Sequence, residues 1–322
     1  MKLIFMGANE QEKLFIDMWA KQHQTVVKVV AENLSIDNVD QTKGFDGICL
    51  YPSQEMATQP RLYQKLEENG IKVLSIKSTG VDGINFDFAK QHQLTVTNVP
   101  GYSPTSVGHF AVMLILMTLR NVPSYLKHDN RKAHLGRELS DVTIGILGTG
   151  RIGSLVADNL MAMGANVIAC ATRENLSLKA RGLKYVSFEA LIQKSDVISI
   201  HIPASTKNYH LFSTDVFDQM KENAILINTA RGAIIDTQAL IPFLEVGKIG
   251  GLGIDAIEDE EKYFLTGWSE NPLVKQLVAF PNVLITPHIA YFTGLAVREI
   301  VETALDNAVA VVNNEENLNI VA

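Results

Sequence analysis

The sequence predicts an α/β fold of two doubly wound parallel-sheet domains, and three observations carry that expectation. Short apolar strands alternate with helical patterns along the chain, a rhythm that builds parallel sheets covered by helices. The 322 residues amount to about twice a typical domain. The stretch Val142 to Arg173, VTIGILGTGRIGSLVADNLMAMGANVIACATR, reads as strand, glycine turn, helix and strand. Gly148, Gly150 and Gly153 spell G-x-G-x-x-G at its first junction. Such a turn belongs to a Rossmann-like domain, so the expected architecture is two of these with a substrate cleft between them.

Before the glycine turn, Leu3 to Met6, Thr25 to Val30, Gly47 to Tyr51 and Val73 to Ile76 read as strands, with a helix around Glu10 to Gln22. After it, Val167 to Cys170, Asp196 to His201, Ala224 to Asn228, Gly251 to Asp255 and Val283 to Thr286 complete a second sheet. Pro100, Gly101 and Pro104 break the chain ahead of a strongly apolar helix, about Thr105 to Arg120, and mark the crossing between domains. A final helix, about Gly294 to Asn313, can return to the first sheet. The first domain is therefore expected over 1–99 plus about 297–322, flavodoxin-like and substrate-binding, and the dinucleotide domain over 100–296.

Each glycine of the turn has its use. Gly148 permits the tight bend, Gly150 lets backbone approach a pyrophosphate, and Gly153 lets the helix pack closely on the strand, so that the helix N-terminus faces the phosphates. The acid expected about 20 residues on, which would bind a ribose 2′-hydroxyl, is missing. Ala171, Thr172 and Arg173 stand there instead. A hydroxyl plus a guanidinium suits a 2′-phosphate, so the turn predicts NADP(H) favoured over NAD(H); the ordinary use of Arg173 is as a solvated loop cation.

Bulk properties point to small-molecule chemistry. The net charge of −7 and the absence of a Lys/Arg block argue against nucleic acid or an anionic membrane as partner. Cys49 and Cys170 each end an apolar run and read as buried thiols rather than a disulfide or metal pair, which fits a reducing cytoplasm. MKLIFMGANE reads as an opening strand, not a signal sequence. Phe110 to Leu119 spans about half a membrane thickness and reads as a buried helix. A soluble, cytoplasmic protein without a metal is expected.

Polar residues gather at the carboxyl ends of the second set of strands, where open α/β sheets bind ligands. Arg231 follows AILINTA, Asp255 ends GGLGID, Glu260 lies in the next loop, and His288 ends NVLITPH. A His⁺ can protonate a developing alkoxide, a carboxylate beside it raises its pKa, and an Arg can hold a substrate carboxylate and polarise the neighbouring ketone. Each also has a structural use: a hydrogen-bonded core histidine, an ion-pairing arginine, one of the solvated acids in EDEEK.

These residues resemble the D-isomer-specific 2-hydroxyacid dehydrogenases, most closely the D-lactate and D-2-hydroxyisocaproate branch. Besides the glycine turn, the resemblance rests on STGVDGIN (Ser78 to Asn85), NVPGYSP (Asn98 to Pro104), SDVISIHIP (Ser195 to Pro203), INTARGAIIDT (Ile227 to Thr237), GIDAIEDEE (Gly253 to Glu261) and TPHIAYFT (Thr286 to Thr293). It implies Arg231 as the substrate-binding arginine, His288 as acid–base catalyst and Glu260 as its carboxylate partner. The family places that glutamate five residues past the strand-end aspartate, hence Glu260 rather than Glu258 or Glu261. The resemblance further implies amides of Thr79 and Gly80 on the substrate carboxylate, with Tyr102 beside them, and Tyr51 and Tyr291 as pocket walls. Implied cofactor contacts are Arg151 and Ile152 with the turn glycines, Thr172, Arg173, His201, Ile202, Pro203, Thr206 on the pyrophosphate side, Thr229, Ala230, and Asp255 at the nicotinamide carboxamide.

Two departures qualify the transfer. Where many relatives carry an acid after NVP-x-YSP, this chain has Gly108-His109, and His109 is expected on a helix face toward the interface or core rather than as a second catalyst. The missing acid at Ala171 is similar to NADPH-using relatives, including hydroxypyruvate reductases. The expected reaction is reversible reduction of a 2-keto acid to the D-2-hydroxy acid by a homodimer, dimerising through the Phe110 to Leu119 helix, though ordinary core burial explains that helix equally well. Its alternatives are a hydroxypyruvate or glyoxylate reductase and, from another class, a non-catalytic dinucleotide sensor.

Overall fold

The computed structural model of the chain describes every residue except Asp82, residues 128–134 and residues 264–266. Asp82, inside the STGVDGIN motif, therefore lies outside the described residues. The chain forms two compact units, Met1–Ser103 with Phe292–Ala322, and Pro104–Tyr291.

The first unit is built on β1 (Lys2–Phe5), β2 (Val26–Val29), β3 (Gly47–Leu50), β4 (Val73–Ile76) and β5 (Thr95–Thr97). All are parallel, in the order β2-β1-β3-β4-β5. Both faces are covered, as the near-continuous apolar strands require. Leu3, Phe5, Cys49 and Val73 face the helices Glu10–Gln22 and Gly294–Val312, while Ile4, Ile48, Leu50 and Leu74 face a second core with Leu62 and Leu66. Trp19 of the first helix donates to Asp306 of the last at 2.8 Å. Asn9 caps the first helix in a reciprocal box with Glu12, which fixes where that helix leaves β1.

The second unit holds β6 (Thr143–Leu147), β7 (Asn166–Cys170), β8 (Lys184–Tyr185), β9 (Val197–Ile200), β10 (Ala224–Asn228), β11 (Ile249–Ile254) and β12 (Val283–Ile285). They pair in parallel as β12-β11-β10-β9-β6-β7-β8. Strand order reverses between β6 and β9, and it is there, at the carboxyl edge, that a doubly wound sheet leaves a crevice for ligand. The strands β5 and β8 escape the sequence reading because TVT and KY are too short to show a period.

The apolar helix is Pro104–Leu119, and Ala111, Leu114, Ile115 and Leu119 bury one side of it in the core of the second unit. Gly108 lets it approach its neighbour: a Cβ there would lie 2.4 Å from Leu155. His109 is exposed, so of the two placements expected for it, interface or core, the core is excluded. Among the described residues no helix is long and apolar enough to cross a membrane. Both cysteines are free thiols, Cys49 buried and Cys170 half-buried.

Candidate active site

The glycine turn after β6 is shaped by close backbone approach. Gly148 has φ +92°, and a Cβ on it would sit 2.6 Å from the His201 carbonyl; one on Gly153 would sit 1.9 Å from the Gly148 carbonyl. Side chains at either position would force the turn off the sheet. Gly150 differs, since nothing lies within 4 Å of where its Cβ would be. As N-cap of the helix Arg151–Ala162 it brings no capping side chain, and a helix N-terminus at this edge of a doubly wound sheet is where an anion is received. Along the same strand edge, Thr229 Oγ1 is buried and finds no hydrogen-bond partner among the described residues. An open glycine over a helix N-terminus and an orphaned hydroxyl two strands away suit a dinucleotide.

At the far end of that crevice, Thr172 and Arg173 are exposed beyond β7. Their turn is tied to the glycine loop: Tyr185 donates to Thr149 Oγ1 at 3.0 Å and accepts from the Asn175 amide at 2.7 Å. Glu174, the next acid in sequence, pairs with Lys179 at 2.5 Å. On the opposite wall, burial drives the His201 imidazole down to about 4, so it stays neutral, 2.8 Å from Ser199 Oγ. Ile202 packs over Gly148. Pro203 accepts from Asn208, which shapes the turn presenting Thr206 to solvent.

The chemistry-bearing side chains stand at the ends of β10, β11 and β12. His288 Nδ1 lies 2.7 Å from Glu260 Oε1, and the carboxylate is 10% exposed. His288 has φ +54°, a left-handed conformation unusual for a side chain of its size. Asp255 holds it there: its Oδ1 accepts from Ile289 N at 2.9 Å and from the Thr286 hydroxyl at 2.5 Å, and its Oδ2 accepts from Ala290 N at 2.7 Å. Burial alone would depress the imidazolium pKa, but the hydrogen bond and charge of Glu260, with Asp255 behind, outweigh burial and the nearby Arg231, leaving it above its ordinary value. Burial likewise raises Asp255 against the pull of its three hydrogen bonds.

Arg231 leads out of β10, its carbonyl held by Asn228 at 2.9 Å. The following residue must be glycine, because a Cβ on Gly232 would lie 2.0 Å from the Ile257 carbonyl carbon and 2.3 Å from Glu258 N. The arginine turn thus packs directly on the loop that delivers Glu260.

The description "D-isomer specific 2-hydroxyacid dehydrogenase, NAD binding domain" matches residues 112–290. The chain is 36% identical over 317 residues to a D-lactate dehydrogenase of Lactiplantibacillus plantarum, covering 95% of each. It is 34% identical over 319 residues to a D-lactate/D-glycerate dehydrogenase of Pediococcus acidilactici, again over 95% of each. The solved D-lactate dehydrogenase of Lactobacillus jensenii with NAD+ superposes with a TM-score of 0.87 at 34% identity and complete coverage of both chains. The chain belongs to the D-isomer-specific 2-hydroxyacid dehydrogenases. It is an NAD-type dehydrogenase acting on 2-hydroxy acids, and the second unit contains the matched dinucleotide domain.

In this dehydrogenase Tyr291 belongs to the second unit, its ring 6.3 Å from that of His288. Tyr51, Thr79, Gly80 and Tyr102 belong to the first. Thr79 is pinned on both sides, its hydroxyl donating to the Val99 carbonyl and its carbonyl accepting from Asn98, each at 2.9 Å. Ser78 Oγ donates to the Gly80 carbonyl at 2.6 Å. Tyr102 packs into the core below.

Two arrangements were not anticipated from the sequence. Asp255 accepts three hydrogen bonds from the histidine turn, a use the sequence did not suggest. Glu258, passed over in favour of Glu260, bonds His210 Nε2 at 2.5 Å and the Thr237 amide at 2.7 Å, bracing the loop from its other side. A histidine in a polar turn, as in TKNYHLF, carries no periodic signal that distinguishes a brace from a solvated side chain.

Proposed function

We propose that the enzyme reduces a small 2-keto acid, pyruvate to D-lactate foremost, with Arg231, Glu260 and His288 as the reacting set. The observation that carries this is the 2.7 Å contact between His288 Nδ1 and Glu260, on a turn clamped by Asp255. With Nδ1 committed to the carboxylate, Nε2 is the nitrogen that faces substrate and carries the mobile proton. Arg231 grips the substrate carboxylate in bidentate fashion and draws electron density from the adjacent carbonyl. When bound, the reduced dinucleotide supplies the hydride to the carbonyl carbon. His288 gives its proton to the carbonyl oxygen, and Glu260 stabilises the imidazolium before that transfer. Thr79 and Gly80 amides anchor the substrate carboxylate, with Tyr102, Tyr51 and Tyr291 bounding the acyl group.

Gly148, Gly150, Arg151, Ile152 and Gly153 hold the pyrophosphate, with Thr206 on its other side. His201, Ile202 and Pro203 line the crevice, and Thr229, Ala230 and Asp255 receive the nicotinamide end. Preference for NADP(H) over NAD(H) rests on Thr172 and exposed Arg173 where an acid would stand, whereas the family description names NAD. The second substrate reading is hydroxypyruvate, favoured by likeness to a D-lactate/D-glycerate dehydrogenase. We place the enzyme in the cytoplasm as a homodimer joined through the helix Pro104–Leu119, on which Met113 is 40% exposed.

Initial rates of NADH and NADPH oxidation with pyruvate, 4-methyl-2-oxopentanoate, phenylpyruvate, hydroxypyruvate and glyoxylate test the reaction, the substrate and the cofactor preference. Turnover of pyruvate that disappears in His288→Gln with dinucleotide binding retained is the expected result. An active variant removes His288 from its role, and faster NADH than NADPH oxidation removes the cofactor preference while leaving the reaction.

A further inference from the structure

One ion pair in the first unit has no part in the chemistry above. Lys77 directly follows β4, and its side chain is 0% exposed against 2% for that of Glu12. The ammonium donates to both Glu12 oxygens at 3.0 Å and to the Gly7 carbonyl at 2.8 Å, which uses its three N–H bonds. The rings of Tyr51 and Phe5 lie 4.2 and 4.5 Å from it. Glu12 Oε2 also accepts from Asn9 N at 2.9 Å. A single cation therefore ties together the chain beyond β1, the chain beyond β3, the end of β4 and the start of a helix.

Stability alone is a poor reason for it. Replacing a buried pair by apolar residues of similar volume is often neutral or stabilising. What the pair joins is more informative, since β1, β3 and β4 meet it at their carboxyl ends, the ligand edge of a parallel sheet. Tyr51 rests on the ammonium, and Ser78, Thr79 and Gly80 follow Lys77 in the chain.

We propose that Lys77 is a positioning residue for the 2-keto acid: its ammonium, paired with Glu12, holds the Tyr51 ring and the Ser78–Gly80 turn in their substrate-binding arrangement. This rests on the reading of Tyr51, Thr79 and Gly80 as substrate contacts. The charge matters because a neutral amine loses one donor, the attraction to Glu12 and the cation–π contact with Tyr51. Burial brings Lys77 down to about 8 against the opposing charge and hydrogen bond of Glu12. The other titratable groups facing it are Tyr51 and Cys49, whose thiol is pushed up to about 12 by burial. Lys77 is thus charged below about pH 8 and loses its charge above, whereas arginine at this position stays charged.

The test is KM for pyruvate and for NADH between pH 6 and 9.5 in wild type, Lys77→Met, Lys77→Arg and Tyr51→Ala. Lys77→Met is expected to raise the pyruvate KM about tenfold with the NADH KM little changed. The wild-type pyruvate KM is expected to climb above pH 8 relative to that of Lys77→Arg; effects of His288 titration are common to both and cancel in the ratio. Equal changes in both KM values for Lys77→Met, or superimposable wild-type and Lys77→Arg curves, overturn the proposal. If Lys77→Met does not fold, the Lys77→Arg curve decides. A Tyr51→Ala variant with unchanged pyruvate KM instead overturns the substrate-contact reading on which the proposal stands.

Discussion

Glu260 meets His288 at 2.7 Å, and it does so from a loop that also sends Glu258 to His210. With His288 as the proposed proton donor, its raised imidazolium pKa is expected to set the pH dependence of the reaction. Reduction draws on the protonated ring, so it persists above the ordinary histidine value of about 6.5 and falls as pH rises through the shifted one. Oxidation of the hydroxy acid needs the neutral ring and gains over the same interval. Glu260→Gln removes the stabilising charge, and its falling limb in log kcat/KM for pyruvate is expected to move down by about one pH unit. A limb that stays in place would assign the titration to another group.

Asp255→Asn tests the clamp under His288. The carboxylate serves three donors, and an amide must turn its NH₂ toward at least one of them. A mismatch of this kind costs about 1–3 kcal/mol and frees a histidine held at φ +54°. Both Tm and kcat are expected to drop, the latter by about tenfold or more as the ring leaves its line of attack. Native kcat with a lowered Tm would make Asp255 a folding residue only.

Gly232→Ala should separate geometry from stability. Its Cβ meets backbone on the Ile257–Glu258 side, which cannot yield as a side chain can. Displacing that loop moves Arg231 and Glu260 apart, and a fall in kcat/KM of about a hundredfold is expected. Gly247→Ala is the control: its φ is +76° with open space around it, so it should cost about 1 kcal/mol of stability and leave kinetics alone. Equal kinetics in the two variants would dismiss the steric coupling.

His210→Asn removes the outer brace of the same loop while keeping a polar side chain. Loss of the Glu258 contact should lower kcat several-fold, on the order of 1 kcal/mol of transition-state positioning, without shifting the pH limb set by Glu260 and His288. A shifted limb would mean that the brace also sets the contact between Glu260 and His288.

Much of the fold was legible because its signals are local. Apolar runs fell within a residue or two of β1, β3, β4, β6, β7 and β10, and the helix read around Glu10 to Gln22 forms over those residues. The edges β5 and β8 were not, since three and two residues cannot display alternation. At the site, GIDAIEDEE offered acids at 258, 259, 260 and 261, and spacing borrowed from the family, not periodicity, singled out Glu260. Lys77 drew no notice, because an isolated lysine beside a strand gives no sign that its ammonium is buried among a carboxylate and two rings.

By itself, then, the sequence determined the alternation of strands and helices, the glycine turn that a dinucleotide needs, and the strand ends at which reactive groups stand. These depend on residues near one another in the chain, through periodicity, backbone sterics and capping. Tertiary structure alone decided that Glu258 faces His210, that Asp255 serves the His288 turn, and that Lys77 sits on Glu12. Those pairings join residues that are 48, 31 to 35 and 65 positions apart, and only the packing of parallel strands side by side brings such positions within hydrogen-bonding distance.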